Sequence, residues 1–337
     1  MNTQAKSDGF KNSAGRVGRS LLATVLMASL LGGCTTIRLG PAYDAPFKEQ
    51  VIEEAPAAAG KVLLLEVRGK INDEPKGGLL SKGPSLLDSV LMQLKKARED
   101  KTIKALVLKI DSPGGGVTAS DILYHELMAY KADSGVKIFV QMMDVAASGG
   151  YYIALAGDHI QAHPTTVTGS VGVISVSPDL SQAMDKLGVG VNVYKSGASK
   201  DMGSPFRAAN PTDQALFQEL IAKMAERFYG VVAERRSLNE AQMREIKSAR
   251  IYSGAAAKDA GLVDSLGYLS DATQQACELA GEKRCEVIAY RFTKNPNASI
   301  YSPSAQEIDS SPNALLHVPL LESALQLTPG VYYLYQP

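Results

Sequence analysis

The sequence predicts an α/β fold in which a mostly parallel sheet is flanked by helices. Short apolar runs of strand length alternate along the chain with segments whose apolar residues repeat at helical spacing. The strand-length runs are almost continuously apolar, which is typical of strands buried on both faces. Glycine-rich turns follow several of these runs. In such folds the loops that leave the carboxyl ends of the strands build the site, so these turns are the first places to look for function.

The pattern begins with two strands and two helices. Val62–Val67 is an apolar run of strand length, and Ser85 opens a segment whose leucines share one helical face. Ala105–Ile110 predicts the second strand, which runs into the breaker cluster Asp111–Gly116. A helix is expected to follow over roughly Ala119–Lys131.

The alternation continues through the second half of the chain. Strands are predicted over Val136–Met142, His159–His163 and Val189–Tyr194. The small-residue turn Val145–Gly150 separates the first of these strands from a short apolar helix at Tyr151–Ala156. The remaining predicted elements are a long helix opened by Asn210 and Pro211 that runs to about Arg236, further helix near Glu240–Lys247 and Ala255–Ala260, and a last strand at Cys285–Phe292.

The N-terminal segment has the pattern of a lipoprotein export signal. Basic residues precede the apolar run Leu21–Leu31, which is too short to cross a hydrocarbon core of ~30 Å. Leu31–Cys34 resembles a bacterial lipobox, in which cleavage before the cysteine is followed by its acylation. We therefore predict a signal peptide at 1–33 and a lipidated Cys34, carrying acyl chains such as palmitate, on a tether that ends at residue 60. An ordinary signal peptide with an incidental cysteine is the alternative.

The charge balance and the export signal exclude some functions and predict where the protein is located. Lys and Arg number 35 against 35 Asp and Glu, which argues against a nucleic-acid binder that works through bulk positive charge. The export signal predicts a membrane-anchored lipoprotein of the bacterial cell envelope, facing the periplasm or the cell exterior. Cys277 and Cys285 would then meet an oxidising environment, where either a disulfide or two reduced thiols fit the sequence.

Two glycine-rich turns are the candidates for chemistry. Gly114–Gly116 lies between a strand and a helix, but no Gly-Lys-Ser/Thr follows it, so a phosphate cradle is disfavoured. The same turn could be a plain tight turn, or could present backbone amides to a developing oxyanion. At the second turn, small residues flank Ser148 where a strand gives way to a helix. That position suits a nucleophilic hydroxyl, and it also suits an ordinary helix N-cap.

A serine nucleophile needs a base. None of the four histidines is well placed for a triad, and a Gly-x-Ser-x-Gly elbow is absent from the sequence. A lysine can serve instead where burial lowers its pKa. Lys200 lies in a Gly/Ser-rich loop after an apolar run, and Lys195 is its local competitor.

Five motifs occur in order and together resemble one family. They are Asp111–Gly116, Ala147–Tyr152, Thr168–Val173, Tyr194–Asp201 and Gly261–Asp264. They resemble the bacterial signal peptide peptidase A family, of the Clp protease/crotonase-like superfold, over roughly residues 60–290. The resemblance implies a serine peptidase that needs no cofactor or metal, with a single peptidase domain at 61–292 and a tail of unknown structure at 293–337.

The resemblance also assigns roles to individual residues. It places the family's nucleophile on Ser148 and its general-base lysine on Lys200 rather than on Lys195. Ser170 is a candidate to orient Lys200, or it is a hydroxyl satisfied by the backbone. The implied oxyanion donors are the amides of Gly114, Gly115 and Gly149.

Only one set of motifs is present, so the chain looks like the half-length form of this family. Such members are expected to assemble as homo-oligomeric rings in which Ser148 and Lys200 meet across a subunit boundary. The expected substrates are remnant signal peptides or other unfolded apolar peptides. Two alternatives are a non-catalytic envelope lipoprotein scaffold and a crotonase-like acyl-transfer enzyme. Export disfavours the latter because CoA is cytosolic. The apolar segment Val331–Tyr335 could dock on a neighbouring subunit or be disordered.

Overall fold

The computed structural model describes residues 47–75, 83–292, 295–303 and 330–335. These residues all belong to one unit that spans Tyr43–Pro337. The predicted signal peptide, Cys34 and most of the predicted tail lie outside the described residues. Within the ranges described, no helix is both long enough and apolar enough to cross a bilayer.

The strands, in chain order, are β1 Lys48–Glu53, β2 Gly60–Arg68, β3 Ile103–Ser112, β4 Gly114–Gly116, β5 Lys137–Ala147, β6 His159–Ala162, β7 Val167–Gly169, β8 Ile174–Val176, β9 Ile251–Ser253, β10 Ser265–Leu266, β11 Cys285–Arg291 and β12 Gly330–Leu334. The helices are α1 Leu86–Glu99, α2 Val117–Ser134, α3 Gly149–Ala154, α4 Ser181–Leu187, α5 Pro211–Arg235, α6 Glu240–Ile246, α7 Gly254–Asp259 and α8 Leu269–Leu279.

The main sheet confirms the predicted mostly parallel α/β architecture. Its strand order is β1-β11-β2-β3-β5-β6-β10. The pairs from β11 through β10 are parallel, and β1 adds an antiparallel strand at one edge. Parallel strands share one carboxyl edge, so β3 and β5 end side by side, with Ser112 in register with Ala146. Strand β7 continues this edge by pairing with the last residues of β5.

Alternation along the central strands distributes side chains to two faces. In β2, Leu63 and Leu65 pack in the core cluster that also contains residues of α1 and α2. Val62 and Leu64 pack in the cluster that contains residues of α8. These side chains are at most 4% exposed. Helices on both faces therefore explain why the strand sequences are almost continuously apolar.

Local sequence signals fix several helix ends. The Ser85 hydroxyl accepts a hydrogen bond from the Asp88 amide at 2.9 Å and caps α1. Asn210 caps α5 in the same way by accepting from the Asp213 amide at 2.8 Å, and Pro211 is the first helical residue. Gly135 ends α2 in the left-handed region, with φ of 71°.

Three sequence predictions differ from the structure, and each difference depends on whether a distant segment pairs with the one predicted. Lys48–Glu53 lies within the predicted tether, yet it forms β1 because its backbone pairs with β11. The peptidase fold therefore begins before residue 61. Val189–Tyr194 is predicted as a strand but forms none, and its side chains are exposed, with Tyr194 at 94%. Val331–Tyr335 had no predicted place, but Gly330–Leu334 forms β12 within its own chain.

Cys277 and Cys285 lie at the opposite end of the sheet from the glycine-rich turns. Cys277 on α8 and Cys285 at the start of β11 are joined by a disulfide in the structure. Cys285 is in register with Gly60, the first residue of β2. The disulfide therefore ties α8 to the amino edge of the sheet.

Candidate active site

Ser148 sits between β5 and α3 in a strained backbone conformation. Its φ is 53° and its ψ is −116°, a region that costs a non-glycine residue about 1–3 kcal/mol. The Ser148 amide donates to the Gly169 carbonyl at 2.8 Å, and the Tyr152 amide donates to the Ser148 carbonyl at 2.8 Å. These two bonds hold the turn in place. Ser148 is only 1% exposed.

The small residues after Ser148 are required by close packing. A Cβ placed on Gly149 would lie 2.5 Å from the Ser120 hydroxyl oxygen, and one on Gly150 would lie 2.5 Å from the Ser112 carbonyl oxygen. At Gly150 the obstacle is backbone and cannot move aside, whereas at Gly149 the Ser120 side chain would have to turn away. The glycines of this motif therefore allow the Ser148 turn to pack against the end of β3.

The glycine turn after β3 forms the short strand β4 beside Ser148. Gly114 has φ of 96°, and a Cβ on it would lie 2.1 Å from the Tyr333 carbonyl oxygen and 2.6 Å from the Gly149 amide nitrogen. Only glycine allows this approach. The Gly114 amide itself donates to the Ser112 hydroxyl at 3.1 Å. The resemblance groups Gly114 with the oxyanion donors, which stays a prediction; in the structure its amide donates to Ser112 and its lack of a side chain leaves room for the Tyr333 carbonyl.

Strand β12 lies between β4 and β8 and is antiparallel to both. The Tyr335 amide donates to the Pro113 carbonyl at 2.8 Å, so these two residues form a hydrogen-bonded pair. Such pairs alternate along an antiparallel ladder, which makes Gly115 and Tyr333 the next one. The Tyr333 carbonyl therefore faces the Gly115 amide and lies near the Gly149 amide. These are two of the three donors predicted from the sequence.

Ser170 follows the strand that supports Ser148. Gly169, whose carbonyl accepts from the Ser148 amide, is the last residue of β7, and Ser170 has φ of 51°. The Ser170 amide donates to the Arg250 carbonyl at 2.9 Å. The residue is thus held next to the Ser148 turn, and its role in orienting Lys200 stays a prediction.

Lys200 and Ser148 are not brought together within the chain. Lys200 is exposed in a loop, and none of the hydrogen bonds among the described residues joins it to Ser148. Lys195, the competitor, donates to Asp201 at 2.8 Å and to the Ala198 carbonyl at 2.9 Å. The Lys195 amine is therefore occupied within its own loop, and the choice of Lys200 as the base stays a prediction.

Asp201 anchors the loop that carries Lys200. Arg207 donates to Asp201 at 2.8 Å and pairs with Asp213 at 2.6 Å, which ties the loop to α5. Hydrogen bonds from Arg207 and Lys195 hold the pKa of Asp201 well below its usual range. Asp201 therefore stays ionised at neutral pH and keeps the loop attached.

Aromatic side chains surround Tyr333. Its ring stacks on Tyr152 with centroids 5.2 Å apart and packs against Phe228 at 4.9 Å. Tyr124 meets the edge of Tyr152 at 5.4 Å. The sequence analysis missed this cluster. Its signal was weak, because Tyr152 and Phe228 look like ordinary apolar helix residues and Tyr333 lies in a tail with no predicted place.

The fifth motif ends in Asp264, which supports the fold. Asp264 accepts from the Ile160 amide at 2.7 Å and pairs with Arg236 at 2.8 Å. Partial burial opposes its ionisation, but the hydrogen bonds from Arg236 and Ile160 outweigh that effect and lower its pKa. The carboxylate thus joins the start of β6 to the end of α5.

We expect Asp264→Asn to lower stability at neutral pH and to matter less in acid. A lowered folded-state pKa stabilises the fold above the unfolded value, about 3.9, and that contribution is lost as pH falls through the folded pKa. Urea unfolding from pH 7 to pH 3 measures the difference between the two proteins. Asp259→Asn, on the exposed surface of α7, is the control. A difference that stays constant with pH contradicts the assignment.

Comparison with known proteins places these features in a family. The profile of peptidase family S49 matches residues 130–283, and that of Clp protease matches residues 84–167. A protein named putative protease slr0021 from Synechocystis is 39% identical over 193 residues, which cover 57% of this chain and 69% of that protein. The chain belongs to peptidase family S49.

Two other relatives are also named as peptidases. Putative signal peptide peptidase SppA of Enterococcus faecium is 38% identical over 224 residues, covering 66% of this chain and 64% of that protein. Protease 4 of Salmonella typhi is 36% identical over 204 residues, covering 60% of this chain and 33% of that protein. The chain thus spans about two thirds or less of the length of these two relatives.

The two family matches overlap at Ser148, which lies in both. Ser170 and Lys200 lie in the S49 match alone, and Gly114 and Gly115 lie in the Clp protease match alone. In the part of the chain that the structure describes, no group of three or more His, Cys, Asp or Glu side chains is placed to hold a metal ion.

Proposed function

We propose that this S49 chain is a membrane-associated serine endopeptidase that uses Ser148 as nucleophile and Lys200 as general base. One observation carries the proposal. An extended peptide segment, β12, lies between β4 and β8 with the Tyr333 carbonyl against the Gly115 and Gly149 amides, immediately beside Ser148. A substrate peptide bound as this segment is bound would have its carbonyl at the nucleophile.

The chemistry follows from that geometry. Neutral Lys200 takes the proton of the Ser148 hydroxyl as the serine oxygen attacks the carbonyl carbon. The resulting oxyanion accepts hydrogen bonds from the Gly115 and Gly149 amides. The C–N bond then breaks, and the amine leaves with the proton from Lys200. Lys200 next takes a proton from water as the water oxygen attacks the acyl ester. When the ester C–O bond breaks, Lys200 returns that proton to the Ser148 oxygen and is neutral again.

The general base comes from a neighbouring subunit in this proposal. Ser148 is buried and Lys200 is exposed, so a second chain is needed to bring an amine to the serine. The segment before Lys200 exposes large apolar side chains, with Leu187 at 78% and Tyr194 at 94%. Exposed apolar surface of this kind marks an interface. A ring would cover it and enclose Lys200, which favours the neutral amine.

The substrates proposed are remnant signal peptides and other unfolded apolar peptides. An extended peptide is what the gap between β4 and β8 accepts, since both strands pair with it through backbone groups. Folded proteins do not offer such a segment. Acylation of Cys34 would hold the enzyme at the envelope membrane, where apolar peptides of this kind are left after export.

The test is hydrolysis of denatured casein and signal-peptide-like peptides by the full chain in detergent. We expect Ser148→Ala to lose at least about 10⁴-fold in kcat, and Lys200→Ala to lose about 10²–10⁴-fold. Lys195→Ala is the matched control in the same loop and retains activity. Activity that survives both Ser148→Ala and Lys200→Ala contradicts the dyad. No hydrolysis by the unsubstituted chain favours a scaffold.

A further inference from the structure

Strand β5 changes its register with β3 shortly before Ser148. Ile110 of β3 is in register with Met142 of β5, but Ser112, two residues later in β3, is in register with Ala146, four residues later in β5. Strand β5 therefore carries two extra residues between these pairs, and we call residues 143–145 the β5 bulge. Because the number of extra residues is even, the side chains of β5 keep facing the same sides of the sheet after the bulge.

The β5 bulge determines how far Ser148 reaches along the edge of the sheet. With regular pairing, Asp144 rather than Ala146 would lie opposite Ser112. Each strand residue advances the chain by about 3.3 Å, so Ser148 would then lie about 7 Å further along. That displacement would break the close packing of Gly150 against the Ser112 carbonyl. An error of even about 1 Å in the position of a reacting group can cost about 10²-fold in rate.

The bulge is also the point at which β5 changes its neighbour in the sheet. Before it, β5 pairs with β6, and the last pair is Met142 with Ala162. After it, β5 pairs with β7, and the first pair is Val145 with Val167. Backbone groups of a bulge lose partners that a regular ladder would provide, so other groups must bond them inside a protein.

Two threonines bond the bulge from the β7 side. The Thr166 hydroxyl donates to the Met143 carbonyl at 2.5 Å and lies 3.2 Å from the Met142 carbonyl oxygen. The Thr168 hydroxyl donates to the Ala146 carbonyl at 2.6 Å. Both threonines are 0% exposed, so neither hydroxyl has water as an alternative partner. Their bonds to β5 therefore hold the backbone on both sides of the bulge.

Asp111 bonds the bulge from the β3 side. It is the residue of β3 that lies between the two registered pairs, opposite the bulge. One oxygen of its carboxylate accepts a hydrogen bond from the Val145 amide at 3.3 Å. The other oxygen pairs with Arg68 at 3.3 Å. A side chain thus supplies the acceptor that the ladder lacks three residues before Ser148.

We propose that Asp111, Thr166 and Thr168 are positioning residues for Ser148, because their side chains hold the β5 bulge that places the serine. The proposal rests on the serine peptidase function above. The three side chains act through the backbone of β5 and not through contact with the peptide. Their loss should therefore lower kcat and leave KM nearly unchanged, since the groove between β4 and β8 that binds the peptide keeps its strands.

Thr166→Val tests the proposal with a side chain of nearly the same shape that has no hydroxyl. We expect kcat for a signal-peptide-like peptide to fall about 10- to 100-fold, with KM changed by less than about 2-fold. Thr166→Ser restores the hydroxyl and should keep kcat within about 3-fold of the unsubstituted chain. Steady-state kinetics of the full chain in detergent measures both variants.

Thr273→Val is the matched control. The Thr273 hydroxyl donates to the Ser270 carbonyl at 3.0 Å and the residue is 5% exposed, but it lies on α8, across the sheet from α3. Thermal unfolding should show similar losses of Tm for Thr166→Val and Thr273→Val, since each removes one buried hydrogen bond. Only Thr166→Val should lose kcat. Equal losses of kcat in the two variants, or an effect confined to KM, overturns the proposal.

The β3 side of the bulge gives a second test, which decides the proposal if Thr166→Val does not fold. Asp111→Asn keeps an oxygen that can accept from the Val145 amide and should retain kcat within about 3-fold, whereas Asp111→Leu should lose about 10- to 100-fold. Arg68→Gln removes the ion pair, which is partly exposed, and should also stay within about 3-fold. A loss in Arg68→Gln as large as in Asp111→Leu assigns the effect to the ion pair and contradicts the role of the bulge.

Hydrogen exchange separates this proposal from the proposed function. In Thr166→Val and Asp111→Leu, the amides of residues 143–149 should exchange at least about 10-fold faster, while those of residues 103–110 in β3 keep their rates. Unchanged exchange at 143–149 overturns the proposal. Faster exchange with unchanged kcat refutes the positioning role and leaves the peptidase function standing. If the unsubstituted chain hydrolyses no peptide, the proposed function fails, and the exchange rates alone decide whether these side chains hold the bulge.

Discussion

Chains carrying Ser148→Ala and chains carrying Lys200→Ala are expected to recover activity when mixed, although each is inactive alone. Ser148 is 1% exposed in the single chain, whereas Lys200 is exposed in a loop anchored on α5. If a ring supplies each Ser148 with Lys200 from its neighbour, a mixed ring contains boundaries with an intact serine on one side and an intact lysine on the other. Random mixing in equal amounts makes about one quarter of the boundaries complete. Peptide hydrolysis after subunit exchange measures the recovery.

The control mixes two variants in the same way, but neither of them has Lys200. Chains with Lys200→Ala are mixed with chains that carry both Ser148→Ala and Lys200→Ala, and no boundary is then complete. Native mass spectrometry of one isotopically labelled partner establishes that the subunits have exchanged. No recovery in exchanged rings of the two single variants would show that serine and lysine act within one chain.

The sequence predicts the central sheet because its signals are local. Val62–Val67 and Ala105–Ile110 each lie within a strand of the structure, and Val136–Met142 matches the strand that begins one residue later, at Lys137, as apolar runs flanked by helical patterns should. The helix ends at Ser85 and Asn210 are predicted for the same reason, since a cap needs only residues three or four positions away.

Strands that depend on a distant partner are the ones the sequence does not predict. The exposed edge strand β1 has no strong apolar pattern, and its pairing with β11 defines it. Val189–Tyr194 shows the opposite error, since it has the apolar content of a strand but pairs with no strand among the residues that the structure describes. In the proposed ring, the apolar side chains of this segment contact a neighbouring subunit.

Within the site, the residue types predict which residues take part, but they do not predict what each of these residues does. Gly114 and Gly115 are identical in the sequence, and only the register with β12 shows that Gly115 faces a carbonyl while Gly114 leaves room for it. The resemblance to the family locates Ser148 and Lys200, but it says nothing about Tyr333. That side chain enters the site through a contact between residues more than a hundred positions apart.

Gly114→Ala is expected to lower kcat/KM for peptides by about 10²–10³-fold, comparable to the loss of an oxyanion donor. A Cβ at this position would lie 2.1 Å from the carbonyl oxygen of the bound strand and 2.6 Å from the Gly149 amide nitrogen. Both neighbours are backbone atoms and cannot turn aside as a side chain would. The methyl group therefore displaces either the substrate carbonyl or the Gly149 donor. Steady-state kinetics with a signal-peptide-like peptide measures the loss.

Gly69→Ala separates this steric effect from backbone strain. Gly69 has φ of 84°, close to the 96° of Gly114, but a Cβ on it meets nothing within 4 Å. Both substitutions place alanine in the left-handed region and should cost about 1–2 kcal/mol of stability. Only Gly114→Ala also obstructs the groove. If the two variants lose kcat/KM to the same extent, strain rather than the carbonyl position explains the effect, and the Tyr333 carbonyl does not mark the place where a substrate reacts.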